Sequence, residues 1–117
     1  MTAGHPFDKV RRAGLTMPGV EAATRYDGAP VLRVGGAFMA GLASHPSAEP
    51  DSLVVRVGLE DREHLLDEAP DTYYVTEYYA PHPVVLARLA RLDDAALHDL
   101  LAVSRRLTLP KARRPRR

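Results

Sequence analysis

The densest chemistry in the chain lies between Asp71 and Pro83, Asp-Thr-Tyr-Tyr-Val-Thr-Glu-Tyr-Tyr-Ala-Pro-His-Pro, which holds four of the five tyrosines. Tyrosine is amphipathic: its ring buries well while its hydroxyl needs water or a partner. Tyr73, Tyr74, Tyr78 and Tyr79 therefore mark either a wall of the core or a surface on which something flat can stack. Strand alternation sends Tyr73 and Val75 to one face and Tyr74 and Thr76 to the other. Part of the segment is thereby committed to the core, and Tyr74 or Tyr79 is expected to be exposed. An aromatic under a nucleic-acid base contributes about 1–3 kcal/mol, so an exposed pair is a candidate stacking platform.

Other chemistry is sparse. The five histidines, His5, His45, His64, His82 and His98, show no paired ligand spacing such as His-x-x-x-His. His82, between Pro81 and Pro83 and near Glu77 and Tyr79, is the best single candidate for proton transfer or metal ligation, although a lone histidine in a Pro-bounded loop reads more simply as polar surface. Ser104 has no evident base, and Ser44-His45 lack the framework a nucleophile needs. The absence of cysteine excludes disulfides, thiolate metal sites and thiol catalysis, and agrees with a reducing compartment. The expectation is a non-catalytic protein with no cofactor and no metal.

Positive charge is the other candidate recognition chemistry. The net charge of +1 conceals a division: residues 111–117 carry five cations and no acid, leaving eleven cations against fifteen acids in residues 1–110. Lys111, Arg113 and Arg114 lead this tail, which is read as disordered because Pro115 and mutual repulsion oppose a helix. Within the body, the basic clusters are Lys9, Arg11 and Arg12 near the N-terminus and Arg105 and Arg106 near the C-terminus. If their helix ends lie close, they form one patch with the tail on the helical layer, able to neutralise a few phosphates in weak, salt-sensitive, sequence-blind binding. The alternative for the tail is a solvated extension.

The elements that must position these residues read clearly. A chain of 117 residues suits one domain around a single core, here residues 1–109 with the tail at 110–117. Phe7, Val10, Gly14 and Leu15 recur at helical spacing and predict a first helix from about Pro6 to Leu15. Strands follow at 20–26, 30–34, 37–43 and 53–57, with Asp27-Gly28 and Gly35-Gly36 as hairpin turns. A short helix spans Glu60 to Glu68, then strands at 73–77 and 84–89. Asp93 is a favourable N-cap for a last helix that buries Ala96, Leu97, Leu100, Leu101, Ser104 and Leu107 and stops at Pro110. Short turns imply antiparallel pairing, so the fold expected is α+β: a two-layer sandwich with a mostly antiparallel curved sheet, helices on one face and the other face polar. No apolar run approaches the ~20 residues of a membrane span, and the N-terminus lacks a signal-peptide layout, so a cytoplasmic location is expected.

Met17-Pro18-Gly19-Val20-Glu21 after the opening helix, the strand ending Phe38-Met39-Ala40-Gly41-Leu42, Glu60-Asp61-Arg62 before Leu65-Leu66, and Tyr73-Tyr74-Val75-Thr76 ahead of Tyr79 together resemble the MmcQ/YjbR family. The strand Val84 to Leu89 and the last helix, with Asp93, Leu97, Leu100-Leu101 and Ser104, complete the pattern over about Phe7 to Leu107. The resemblance implies a fold similar to that of frataxin and CyaY, and DNA binding through a double-wing surface formed by hairpins. The chain departs from the family in having Gly36-Ala37 where a lysine is common and Pro83-Val84 where a tryptophan is common. The first departure removes a candidate phosphate contact, the second a candidate stacking or core aromatic. Iron binding, suggested by frataxin, is opposed by Lys9, Arg11 and Arg12 on a helix that would need to be acidic. The readings carried forward are a DNA-binding module and, as the alternative, a small protein- or ligand-binding adaptor using the Tyr-rich surface.

Overall fold

The computed structural model describes residues 5–112, with side chains through Leu109. Its elements run α1 (Asp8–Leu15), β1 (Val20–Thr24), β2 (Pro30–Val34), β3 (Ala37–Leu42), β4 (Ser52–Arg56), α2 (Leu59–Glu68), β5 (Tyr73–Tyr74), β6 (Val84–Arg88) and α3 (Asp94–Ala112), with a short 3-10 turn at Leu89–Arg91. This is an α+β fold in which helices pack on a six-stranded sheet of order β1-β2-β3-β4-β6-β5, every neighbouring pair antiparallel.

The early strands follow from their turns. Gly35 and Gly36 have φ of 59° and 84°, the left-handed pair that a two-residue hairpin requires between β2 and β3. β4 cannot turn tightly into its neighbour β6, because α2 and β5 intervene. Their pairing joins Ser52 to Arg88, Val54 to Leu86 and Arg56 to Val84.

Alternation divides the sheet's side chains. Leu32, Val34, Leu53, Val55, Val85, Ala87 and Tyr73 join Phe7 and Val10 of α1 and Leu97, Leu100 and Leu101 of α3 in the main core, with Leu65 and Leu66 of α2 against its edge. All three helices therefore lie on one face. Asp93 caps α3 as expected, its Oδ1 accepting the Ala96 N–H at 2.8 Å. Buried Ser104 donates to the Met39 carbonyl at 2.9 Å.

Four expectations are corrected. The face opposite the helices is not simply polar: Val54, Val84, Leu86 and Tyr79 form a second buried cluster there, bordered by Phe38, Ala43, Ala48, Tyr74 and Val75. The strand expected over 73–77 ends at Tyr74, so alternation stops and Val75 packs with Tyr74 instead of opposite it. Leu15, the last residue of α1, is half exposed. Finally, α3 continues through Pro110 to Ala112. A proline this close to a helix end removes one backbone bond, and Thr108 and Leu109 hold the preceding turn against the body. The expected boundary at 109/110 thus falls inside a helix.

Candidate functional site

On the sheet face away from the helices, three segments enclose an open cleft of about 540 Å³. One wall is the β1–β2 turn with Arg25, Tyr26 and Asp27; a second is the loop after β3 with Ser44 and His45; a third is the loop before β6 with Tyr78, Tyr79 and His82. Phe38, Val54, Arg56 and Val84 make the floor. Clefts of about 300–1,000 Å³ with apolar floors and a few convergent polar groups are typical small-ligand sites.

Each wall is tied to the fold. Arg25 reaches from the hairpin to the Ser44 hydroxyl and lies 3.4 Å from the Asp27 carboxylate. Asp27 also accepts the Ala29 N–H, the main cause that holds its pKa below the usual carboxylate value. The two loops are joined by the Ser47 and Thr76 hydroxyls at 2.9 Å and by the His45 N–H donating to the Tyr79 hydroxyl at 3.4 Å. From α2, one Arg62 nitrogen donates to the carbonyls of Ala80, His82 and Val84 at 3.0–3.2 Å, fixing the segment that carries His82.

The aromatic residues pack in a defined order. His45 stacks on Tyr78 with ring centroids 3.5 Å apart and planes 11° from parallel. Tyr79 stands perpendicular to both, 5.0 Å from Tyr78 and 6.1 Å from His45. Those separations put Tyr79 beside Tyr78, roughly in the plane of its ring, so Tyr79 meets the ring's edge. His82 lies 6.4 Å from Tyr78, its plane tilted by 53°. Tyr78 is 52% exposed, and Tyr26 at the opposite rim is fully exposed.

The expectation that Tyr74 or Tyr79 is exposed is therefore corrected. Tyr79 is buried in the second cluster, and Tyr74 is half-buried with its hydroxyl engaged by the Glu49 N–H at 2.8 Å and by Ser52 at 2.6 Å. The Arg88 guanidinium covers the Tyr74 ring at 4.3 Å while pairing with both Glu49 oxygens at 2.7 and 2.8 Å. Arg88 thereby holds the Glu49 carboxyl below its usual pKa. Tyr73 faces the main core, where burial first, and then the charges of Asp93, Asp99 and Glu68, raise its phenol's pKa.

The basic residues singled out on the helices are mostly occupied. The Lys9 ammonium donates to the carbonyls of Leu89 and Leu92 at 3.0 and 2.7 Å, tying α1 to the 3-10 turn. Arg11 pairs with Asp8 at 2.9 Å. Arg12 is exposed but shares a hollow with Asp94. Arg105 donates to the Pro18 carbonyl at 2.8 Å, and Arg106 is exposed. Lys9 and Arg12 adjoin Asp94 and Leu97 at the start of α3, whereas Arg105 lies about 12 Å further along that helix at 1.5 Å per residue. The two clusters do not merge. Lys111 falls in the last turn of α3, and Arg113 and Arg114 lie outside the described residues.

The sequence reading missed the cations on the sheet itself. Arg33 follows Leu32 and precedes Val34, Arg56 sits between Val55 and Val57, and Arg88 follows Ala87, each next to side chains of the main core. Alternation places all three on the open face. Arg56 donates through Nε to the Phe38 carbonyl at 3.0 Å, and its terminal nitrogens have no protein partner among the described residues. Arg33 Nε is buried with no hydrogen-bond partner among the described residues. These arginines escape a search for charge clusters because each is isolated in the sequence; only the strand period collects them. Among the described residues no group of three or more His, Asp and Glu could hold a metal ion, and no helix is long and apolar enough to cross a membrane. The chain matches no model of a known protein family and no curated protein.

Proposed function

We propose that this protein is a non-catalytic nucleic-acid-binding domain of the MmcQ/YjbR type, with a CyaY-like fold, that reads DNA with the open face of its sheet. The observation that carries the reading is the juxtaposition, around one cleft, of Arg25 and Arg56 with the exposed rings of Tyr26 and Tyr78. Guanidinium groups suit phosphate oxygens because they present paired donors in a plane, and exposed tyrosines suit unstacked bases. A concave site with ring platforms favours single strands over duplex, whose bases are already stacked. The basic C-terminal segment adds sequence-blind attraction.

The test is fluorescence anisotropy with labelled single-stranded and duplex DNA at two salt concentrations. Binding at low salt that weakens as salt rises, and is stronger for the single strand, is expected. No binding at low salt, or binding indifferent to salt, refutes the reading. Removal of residues 111–117 is expected to leave measurable single-strand binding; its complete loss assigns recognition to the tail alone.

A second reading, a small-ligand-binding adaptor, is favoured by the cleft's enclosure on three sides and its volume of about 540 Å³. It predicts saturable binding of a small planar molecule with no affinity for oligonucleotides.

A further inference from the structure

The cleft has more chemical definition than a general strand-binding surface requires. On one side stands a flat ring, Tyr78, braced from behind by His45 and from its edge by Tyr79, so that it is held in place before any ligand arrives. Across the floor lies Arg56, whose Nε is anchored to Phe38 and whose outer nitrogens remain available. Arg25, fixed by Ser44 and Asp27, stands at the β1–β2 wall. Phe38, Val54 and Val84 line the same cleft with apolar side chains. A preorganised platform lowers the ordering cost of binding, and an anchored guanidinium favours bidentate contact with a phosphate.

We propose that this cleft is a nucleoside-phosphate site, in which the base lies on the free face of Tyr78 and the phosphate is held by Arg56 with Arg25. The local charge, two arginines against Asp27, suits one phosphate monoester better than a chain of phosphates. Ser44 and His45 supply polar edges at the rim for base or sugar. The inference rests on the nucleic-acid reading in that a free nucleotide and one unit of a strand present the same chemistry to this cleft.

The experiment is amide chemical-shift mapping of the full chain with adenosine 5′-monophosphate, adenosine and inorganic phosphate added separately, followed by competition of the monophosphate against a labelled adenine oligodeoxynucleotide. Expected are saturable shifts at Ser44–Ser47, Arg56 and Tyr78–His82 with the monophosphate, with adenosine and phosphate each binding about tenfold or more weakly, as loss of one stacking or charged contact implies. Tyr78→Ala and Arg56→Gln should each weaken the monophosphate about tenfold; the wild-type map stands independently of whether either variant folds. Equal affinity for adenosine and its monophosphate, or shifts confined to other surfaces, overturns the proposal. If the oligonucleotide binds in a salt-sensitive way but the monophosphate does not occupy the cleft, the pocket is refuted and the nucleic-acid reading stands. If the monophosphate occupies the cleft and the oligonucleotide does not bind, the pocket stands as a site for free nucleotide and the nucleic-acid reading falls.

Discussion

The imidazole of His45 lies flat against the ring of Tyr78, with centroids 3.5 Å apart and planes 11° from parallel. Two loops that begin far apart in sequence thus meet ring to ring, and the meeting point is the rim of the cleft. The stack orients Tyr78 without burying it, because its contacts are on one face and one edge. Tyr79, next in sequence, does the opposite work.

That difference separates recognition from stability at adjacent positions. Tyr78→Ala should change the urea midpoint little, yet lower single-strand affinity by about 1–3 kcal/mol, the value of one base–aromatic stack. Tyr79→Ala removes a buried ring from the second cluster and should cost about 3 kcal/mol of folding stability. Urea unfolding and anisotropy on the two variants check both. Equal effects of the two on stability would mean that Tyr78 is a packing residue.

The arginines of the sheet and the lysine of α1 make a second contrast. Arg56→Gln should weaken DNA binding and reduce the salt slope by about one, the expectation for one lost phosphate contact. Lys9→Met should leave the binding isotherm unchanged while costing about 1–3 kcal/mol of stability, since the carbonyls of Leu89 and Leu92 lose their charged donor. The reverse outcome would return recognition to the helical layer.

Why the fold was more legible than the site follows from how each is encoded. Gly35-Gly36, Asp93 and the spacing of Leu97, Leu100 and Leu101 act locally, so turn, cap and buried face are all readable in a few residues. Arg25, Arg56 and His45 converge only after the sheet forms, and Arg56 stands alone between valines in the sequence. Tyr78 was legible as one of a group, but its exposure depends on where β5 ends. The strand stops at Tyr74, and the following turns reverse the burial expected for Tyr79. Lys9 and Arg105 were conspicuous as charges, yet each is directed to backbone carbonyls that sequence spacing does not reveal.

Gly41 tests the packing beneath the hairpins. A Cβ there would stand 2.8 Å from Val31 Cγ1, 3.1 Å from Phe38 Cε1 and 3.3 Å from the Pro30 carbonyl oxygen. Val31 is fully buried and the carbonyl is backbone, so the neighbours have little freedom to yield. Gly41→Ala should therefore destabilise the protein by about 1–3 kcal/mol through overpacking. Because Phe38 also floors the cleft, the variant should disturb Arg56, which donates to the Phe38 carbonyl. Thermal or urea unfolding measures the first effect, and amide shifts at Arg56 the second.

Acid should loosen the wall that Glu49 holds. The Arg88 hydrogen bonds are the main cause lowering the Glu49 pKa from its usual 4.5, so the folded state binds that proton less readily than the unfolded chain. A depressed carboxyl pKa contributes stability that is fully present above about pH 4.5 and is lost as the pH falls through the lower folded value. Asp27, lowered chiefly by the Ala29 N–H, acts in the same direction at the β1–β2 turn. Glu49→Gln should therefore be less stable than the parent at pH 7 and show a shallower loss of stability between pH 5 and pH 3, the difference narrowing as Glu49 protonates in the parent. Urea midpoints across that interval measure it, with Asp27→Asn as the companion variant. Parallel pH profiles for the parent and Glu49→Gln would show that the Arg88 pair contributes nothing to the fold. A convergent pair of profiles, with cleft amides of the parent shifting only below pH 4.5, would tie the loop of residues 43–51, and with it the His45–Tyr78 stack, to the ionisation of Glu49.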